Sequence, residues 1–346
     1  MKCLIVGGGL SGVCLAHELA LKNCNIRLID SGVNHSSSIA AGMINPMTFR
    51  KMVKTWMGDE LIPFLIDFYK ELEQKTGERF FFERTIRRAF STAHERKLWI
   101  ERQDDEEYKN YIQPIEELDT PIYIKEDYGT GVVKCPGYVD SKLFLTANQK
   151  YLLERGVLEF AKFNFELLNA NTLNYNGEKY DHIIFAEGYQ GKDNPYFNYL
   201  PLETVKGEVL TLSINDIDAT EIVNRKCFVL PTNNGLFKLG ATFTWKTIDA
   251  SQTEEAKNEL IGQYRELLDK PFVLIDHEAG IRPTVSDRRP LIGEHPEHKG
   301  LHIFNGMGTK GYMIAPFFSR HFAEHLVEGT ELNLEVNINR FEKKYS

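Results

Sequence analysis

Length, charge and cysteine content limit what this protein can be. Its 346 residues include 41 Lys and Arg and 49 Asp and Glu, giving a formal net charge of −8. A chain of this length usually forms two domains or one large one. The acidity argues against a surface built to neutralise phosphates, so nucleic acid is not an expected partner. The five cysteines form no CxxC pair, which argues against disulfides and zinc and favours a reducing, cytoplasmic compartment.

Apolar spacing predicts alternating helices and strands along the whole chain. Predicted strands cover 2–6, 25–30, 80–82, 86–90, 180–186, 208–213, 227–230, 236–244 and 301–304. Predicted helices cover 10–22, 48–75 (one long helix or a helix pair), 93–110, 141–155, 253–268 and 312–327. Asp140 is placed to cap the helix that begins at 141. No apolar stretch is long enough to cross a membrane, and no linker separates two domains, so a second domain would be interleaved with the first.

A glycine-rich turn stands between the first strand and the first helix. Gly7, Gly9 and Gly12 form GxGxxG, in which the glycines permit a tight turn, close approach of a pyrophosphate and helix–strand packing. Free amides at the helix start face the anion. Asp30 ends the second strand, where a carboxylate would accept hydrogen bonds from a ribose. This context predicts a dinucleotide site, although the acid alone does not distinguish FAD from NAD.

Four further segments extend this pattern. They are Ser36-Ser37-Ser38-Ile39-Ala40-Ala41-Gly42-Met43, Gly137-Tyr138-Val139-Asp140, His182-Ile183-Ile184-Phe185-Ala186-Glu187-Gly188, and the C-terminal set from Gly280-Ile281-Arg282-Pro283-Thr284 to Gly306-Met307-Gly308-Thr309-Lys310-Gly311. In order and spacing they resemble the FAD-dependent D-amino-acid oxidase family, with glycine oxidase and sarcosine oxidase as similar members. The resemblance spans nearly the full length.

The resemblance implies an α/β fold with two interleaved parts. One is a Rossmann-like FAD-binding domain of the glutathione-reductase type, formed by 1–78, 137–200 and 279–346. The other is an α+β substrate domain on a mixed or antiparallel sheet, formed by 79–136 and 201–278. FAD would be noncovalent, since Cys3 and Cys14 fall in a core strand and helix. No metal is expected, because the histidines form no HxH or HExxH pair.

The phosphate loop and the resemblance together predict the cofactor contacts. The candidates are Gly7, Gly9, Leu10, Ser11, Gly12, Asp30, Ser31, Ser36, Ser37, Ala41, Gly42, Met43, Phe163, Ala186, Gly188, Gly306, Met307, Gly308, Thr309, Lys310, Gly311, Tyr312 and Met313. The loop from Gly306 to Met313 would stabilise reduced flavin, because a helix start offers positive potential.

Two candidates concern the substrate directly. By resemblance Arg282 receives the substrate carboxylate, a task that suits its planar fork, although Arg282 could instead pair with a nearby carboxylate. Phe228 falls where glycine oxidase-like sequences carry an aromatic pocket residue with a hydroxyl. This chain lacks that hydroxyl, which leaves the identity of the amine open.

A basic segment follows the first small-residue stretch. Arg50 and Lys54 lie one helical turn apart if the region is helical and would share a face. They predict either a pocket for an acidic or phosphorylated substrate or exposed cations on a helix.

The function implied is FAD-dependent oxidation of the C–N bond of an amine or amino acid. Hydride would pass to the flavin, the imine would hydrolyse, and dioxygen would regenerate the flavin with release of hydrogen peroxide. Three alternatives stay open: an oxidase of modified tRNA uridine using the Arg50, Lys51 and Lys54 patch, a dehydrogenase with another acceptor, and a flavin-binding protein without turnover. The oligomeric state is not predicted.

Overall fold

A computed structural model describes residues 1–33, 36–117, 119–134, 137–245 and 249–344. Its helices are α1 Leu10–Leu21, α2 Ser36–Ile39, α3 Gly58–Thr76, α4 Ala93–Gln103, α5 Ser141–Glu154, α6 Glu254–Leu267 and α7 Gly311–Glu328. Its strands are β1 Lys2–Val6, β2 Asn25–Asp30, β3 Met43–Ile44, β4 Met47–Thr48, β5 Val53–Lys54, β6 Phe81–Glu83, β7 Thr85–Ala89, β8 Thr130–Val133, β9 Gly137–Val139, β10 Leu158–Phe160, β11 Leu168–Asn169, β12 Asn174–Tyr175, β13 Glu178–Lys179, β14 His182–Phe185, β15 Leu202–Ile214, β16 Glu221–Asn224, β17 Phe228–Pro231, β18 Phe237–Gly240, β19 Thr244–Trp245, β20 Phe272–Val285, β21 Leu291–Glu294 and β22 Leu301–Asn305.

A six-stranded sheet organises the N-terminal part of the fold. Its order is β10-β2-β1-β14-β22-β21, and every neighbouring pair is parallel except β21 with β22. The central strands are short apolar runs that are buried along nearly their whole length, as expected for parallel strands covered on both faces. Helices α1, α5 and α7 contribute to the core that covers one face. Because parallel strands end together, the loops after β1, β2 and β14 meet at one edge.

An eight-stranded sheet forms the second layer of the site. Its order is β19-β15-β18-β17-β16-β7-β8, with β20 paired along β15. The β16–β7 pair is parallel and the other pairs are antiparallel, so the sheet is mixed. The predicted α/β fold with a Rossmann-like sheet and a mixed second sheet is confirmed. The domain limits stay a prediction, and the limit at 278/279 falls inside the continuous strand β20.

The helix predicted over 48–75 is wrong in its first ten residues. Residues 47–54 instead form the β4–β5 pair around a short 3-10 turn, and α3 begins at Gly58. Met52 and Met57 have φ values of 48° and 52°, in the left-handed region that interrupts a helix. Arg50 and Lys54 therefore do not share a helical face.

Other differences concern the end of one helix and two unassigned strands. The helix predicted over 93–110 ends at Gln103. The sequence did not predict β16 or β20 as strands. β20 begins with the apolar run 272–275, which the sequence prediction does not assign to a strand, and residues 273–276 of this strand are exposed in the structure. Asp140 caps α5 as predicted, since its Oδ1 accepts from the Leu143 amide at 3.1 Å. Among the described helices, none is long and apolar enough to cross a bilayer.

Candidate cofactor and substrate site

A cavity of about 740 Å³ lies between the carboxyl edge of the six-stranded sheet and one face of the eight-stranded sheet. Its volume is toward the upper end of the range usual for ligand sites, roughly 300–1,000 Å³. The loops after β1, β2 and β14 and the start of α7 line one part, and β15, β16, β17 and β20 line the other. The two sheets thus enclose one space with two different walls.

The loop after β1 is shaped by glycines that leave room for a ligand. Gly7 has φ +106°, and a Cβ there would lie 2.4 Å from the Ala186 carbonyl oxygen. A Cβ on Gly12 would lie 1.8 Å from the Gly7 carbonyl oxygen, so this glycine allows α1 to pack on the turn. Gly9, the residue before α1, has no side chain that could cap the helix, and the Ser37 hydroxyl oxygen accepts from the first amide of α1. Backbone and space fit the predicted pyrophosphate site.

Asp30 braces the same loop. Its Oδ2 accepts from the Gly8 amide at 2.5 Å and its Oδ1 from the Gly32 amide at 2.7 Å. These two bonds hold the carboxylate against the loop. The side chain is buried and lines the cavity, at the position that the sequence predicts for ribose recognition.

The small-residue segment and the C-terminal loop meet across the cavity. The Ser37 hydroxyl oxygen accepts from the Leu10 amide at 3.0 Å, and the Tyr312 hydroxyl donates to the Ser37 carbonyl at 2.7 Å. Lys310 donates to the Asn45 carbonyl at 3.3 Å and to the Thr55 hydroxyl oxygen. Burial lowers the pKa of the Lys310 amine to about 8. Residues far apart in sequence thus converge on one wall.

The structure brings most predicted cofactor contacts to this cavity. All of them line it except Gly12, Gly306 and Met313. Gly12 supports the loop from behind, and Met313 is buried inside α7. Phe163 lines the cavity with its ring stacked on Tyr175, at 4.4 Å between centroids. The structure thus gives the position of these residues, and their contacts with the cofactor stay a prediction.

Arg282 points into the cavity from β20. Its Nη1 donates to the Thr242 carbonyl at 3.3 Å, and its guanidinium lies 4.7 Å from the centre of the Phe243 ring. Within the described part of the chain no acidic side chain pairs with it, and Asp287 instead pairs with Arg340 at 2.8 Å. Burial lowers the pKa of the Arg282 guanidinium to about 10. The pairing with a nearby carboxylate that the sequence left open is not observed.

The remaining candidates divide between the cavity and the surface. Phe228 lines the cavity from β17. Lys54 does not line it and pairs instead with Asp59 at 2.5 Å and Glu107 at 3.3 Å. The Arg50 side chain lies outside the described part of the structure. Lys54 is therefore not carried into the proposed site.

Several polar cavity residues were not singled out from the sequence. They are Asn45, Glu187, Asn194, Asn224 and Asn305. Glu187 belongs to the segment 182–188, in which the sequence predicts only Ala186 and Gly188 as cofactor contacts. Burial raises the pKa of its carboxyl to about 7, although Asn194 Nδ2 donates to it at 2.6 Å. Asn224 lies at the end of β16, a strand that the pattern did not predict.

The two ends of the cavity have different chemistry. Backbone amides and the Asp30 carboxylate lie at the edge of the parallel sheet, while the Arg282 guanidinium, which no acidic side chain among the described residues pairs with, lies on the mixed sheet. This arrangement accommodates a dinucleotide at one end and a small anionic compound at the other. The fold and site define a dinucleotide-binding protein with an adjoining pocket for a small anion.

Comparison with known proteins identifies the family. Residues 2–325 match the model of the FAD-dependent oxidoreductase (DAO) family, and the chain belongs to it. It is 25% identical to the glycine oxidase of Bacillus subtilis, over 97% of this chain and 94% of that protein. It is 23% identical to the tRNA 5-methylaminomethyl-2-thiouridine biosynthesis bifunctional protein MnmC of Idiomarina loihiensis, over 97% of this chain and 58% of that protein. The family resemblance and the FAD cofactor predicted from the sequence are confirmed.

The fold is shared with solved structures of the family. The crystal structure of glycine oxidase from Geobacillus kaustophilus superimposes with a TM-score of 0.80 at 20% identity, covering 96% of both chains. At this identity the similarity establishes the fold and leaves the substrate to the residues of the site.

Proposed function

We propose that this enzyme oxidises the C–N bond of an amine that carries a carboxylate, using noncovalently bound FAD. The observation that carries the proposal is the partly buried Arg282 guanidinium, which faces the cavity and has no acidic partner in the described part of the chain. Removing a charge from water is costly unless it is paired, so such a site favours an anionic ligand. A substrate carboxylate would supply the missing partner through a bidentate pair.

The remaining chemistry divides between the cofactor and the protein. FAD, when bound, accepts the hydride and passes its electrons to dioxygen, giving hydrogen peroxide, while water hydrolyses the imine product. Arg282 holds and orients the carboxylate. Phe228 and Phe243 provide apolar walls that limit water. Lys310 and the start of α7 also line the cavity and contribute positive potential, which favours developing negative charge.

Three further assignments belong to this proposal. Covalent attachment through Cys3 or Cys14 is disfavoured, since both are fully buried and neither lines the cavity. We assign the six-stranded sheet to the cofactor domain and the eight-stranded sheet to the substrate domain. A cytoplasmic location is supported by free thiols at Cys3, Cys14, Cys24 and Cys227.

The experiment is anaerobic flavin absorbance of the FAD-loaded protein, with glycine, sarcosine and D- and L-amino acids added in turn. Bleaching by one of these compounds, followed by recovery in air with hydrogen peroxide, is the expected result. Bleaching that recovers only with another electron acceptor would identify a dehydrogenase. Flavin that no amine bleaches would overturn the proposal in favour of a tRNA substrate or of FAD without turnover.

A further inference from the structure

Asn224 is a cavity residue whose amide is held in one orientation. Its Oδ1 accepts a hydrogen bond from Arg88 Nη1 at 2.7 Å. Arginine has donors only, so the amide oxygen must face Arg88 and the NH2 group must point away from it. Asn224 lines the cavity, and among the described residues no acceptor receives its NH2 group. Two N–H donors are therefore available to a ligand.

The orienting group is itself fixed by a buried ion pair. Arg88 and Asn224 are directly paired neighbours in the parallel β7–β16 ladder. Arg88 Nε donates to Glu95 Oε1 at 2.8 Å, and both side chains are buried. The Phe49 ring lies 5.0 Å from the guanidinium. A buried pair of this kind adds little net stability compared with apolar residues, but it can fix one arrangement of polar groups.

Asn224 and Arg282 lie at opposite ends of a shared surface. Cross-strand pairing aligns Asn224, Phe228, Gly240 and Val209 in one row across the sheet. This row crosses three strand spacings, about 14 Å. The Arg282 guanidinium lies over Gly207, two residues from Val209 on the same strand, where a Cβ would lie 2.0 Å from Nη2.

The surface between these ends is apolar. Phe228 covers Gly240, where a Cβ would lie 2.7 Å from the ring Cζ. The site therefore has a cation at one end, an apolar floor, and an oriented amide donor at the other end. A short amino acid bound at Arg282 would leave the amide without a ligand partner.

We propose that Asn224 is a second anchor for the substrate, donating to an oxygen acceptor several bonds away from the carboxylate held by Arg282. The substrate class is then an amine with a carboxylate at one end and a carbonyl, amide or hydroxyl oxygen at the other. Arg88 is a positioning residue that acts through Asn224. This inference rests on the proposed function, because it takes the Arg282 end to bind the carboxylate.

Two compounds of similar shape test the inference on the FAD-loaded enzyme. N-(2-carbamoylethyl)glycine ends in an amide, and N-(3-methylbutyl)glycine ends in an isopropyl group of similar size. One additional hydrogen bond should give the amide compound a kcat/KM about threefold to tenfold higher. The variant Asn224→Leu should abolish or reverse this preference, and Asn224→Asp, which replaces the donor by a charged acceptor, should also reduce it. The exposed Asn198→Leu should retain the wild-type ratio.

The positioning role of Arg88 has its own readout. Changing Arg88 alone leaves Glu95 buried without a partner and threatens folding, so the double variant Arg88→Met with Glu95→Leu is used. It should fold and keep turnover of the isopropyl compound, while losing most of the preference for the amide compound. An unchanged preference would show that Arg88 does not act through Asn224.

The outcomes separate this inference from the proposed function. Flavin bleaching by both compounds without a preference for the amide would overturn the inference and leave the proposed function standing. If neither compound bleaches the flavin, the dissociation constants are compared by the perturbation of the flavin spectrum. A preference that depends on Asn224 would then support the anchor while the oxidation fails, and absence of binding or of preference would overturn the anchor.

Discussion

The two walls of the cavity are built in different ways. At the edge of the parallel sheet, space is created by missing side chains, since a Cβ at Gly7 or Gly12 would collide with backbone. On the mixed sheet, the surface is created by side chains that other side chains hold in place, as Arg88 holds Asn224. Adding atoms to the wall at the parallel sheet should therefore disrupt it. On the wall at the mixed sheet, replacing one side chain by another should change which ligand binds.

This difference separates the two kinds of recognition. Backbone amides and glycine turns bind a phosphate of any dinucleotide that fits, so they suit a cofactor that does not change. Side chains can be exchanged without rebuilding the backbone, so they suit a substrate that differs between related enzymes. Substitutions on the glycine wall should therefore impair FAD binding or folding, and substitutions on the mixed sheet should impair turnover of the substrate.

The largest expected effect comes from adding one methyl group to the glycine wall. Gly12→Ala places a Cβ 1.8 Å from the Gly7 carbonyl oxygen, and neither backbone segment can move without separating α1 from β1. We expect loss of FAD binding by more than about a hundredfold, or loss of folding, since overpacking of this kind costs several kcal/mol. FAD titration and thermal unfolding measure both.

The chain offers a matched helical glycine as the control. A Cβ on Gly262 in α6 would meet nothing within 4 Å. Gly262→Ala should therefore bind FAD normally and gain up to about 1 kcal/mol in stability. Equal behaviour of the two variants would show that the glycine wall does not depend on missing side chains.

The same contrast explains what the sequence could predict. The glycine loop, its flanking strands and Asp30 lie within 30 residues, so their pattern alone indicates the site. Arg88 and Asn224 meet only because β7 and β16 pair across 136 residues, which no local pattern encodes. The error in the helix predicted over 48–75 had a local cause, because helical spacing continues through residues that the left-handed Met52 and Met57 exclude from the helix.

A smaller effect is expected on the second wall. Arg282→Met removes the guanidinium but keeps much of the apolar stem, so the fold should persist. We expect kcat/KM for a carboxylate-bearing amine to fall about tenfold to a hundredfold, as for loss of a hydrogen-bonded charge pair. The melting temperature should stay level or rise, since the substitution removes a partly buried charge that no acidic side chain among the described residues pairs with.

Arg289 serves as the comparison for Arg282. It pairs with Glu335 at 2.9 Å and does not line the cavity. Arg289→Met should change stability by no more than about 1 kcal/mol and leave kcat/KM unchanged. If Arg282→Met were equally silent in steady-state kinetics, the carboxylate would have to bind elsewhere.

The smallest effect concerns an exception on the glycine wall. Glu187 lines the cavity beside the glycine loop but accepts no bond from the described residues of that loop, and burial raises the pKa of its carboxyl from 4.5 to about 7. Between these two values the folded protein keeps a proton that the unfolded chain has released. Stability should therefore fall as pH rises from about 4.5 to 7 and level off above that window.

Glu187→Gln cannot ionise and should remove this component. At a fixed excess of FAD, the stability of the variant relative to wild type should increase across the window by up to about 3 kcal/mol, at about 1.4 kcal/mol per pKa unit. Thermal unfolding between pH 4.5 and 8.5 measures it, with the exposed Glu166→Gln as control. A difference that does not depend on pH would show that Glu187 is already ionised in the folded protein. The wall of the dinucleotide site would then carry a second carboxylate charge in addition to that of Asp30.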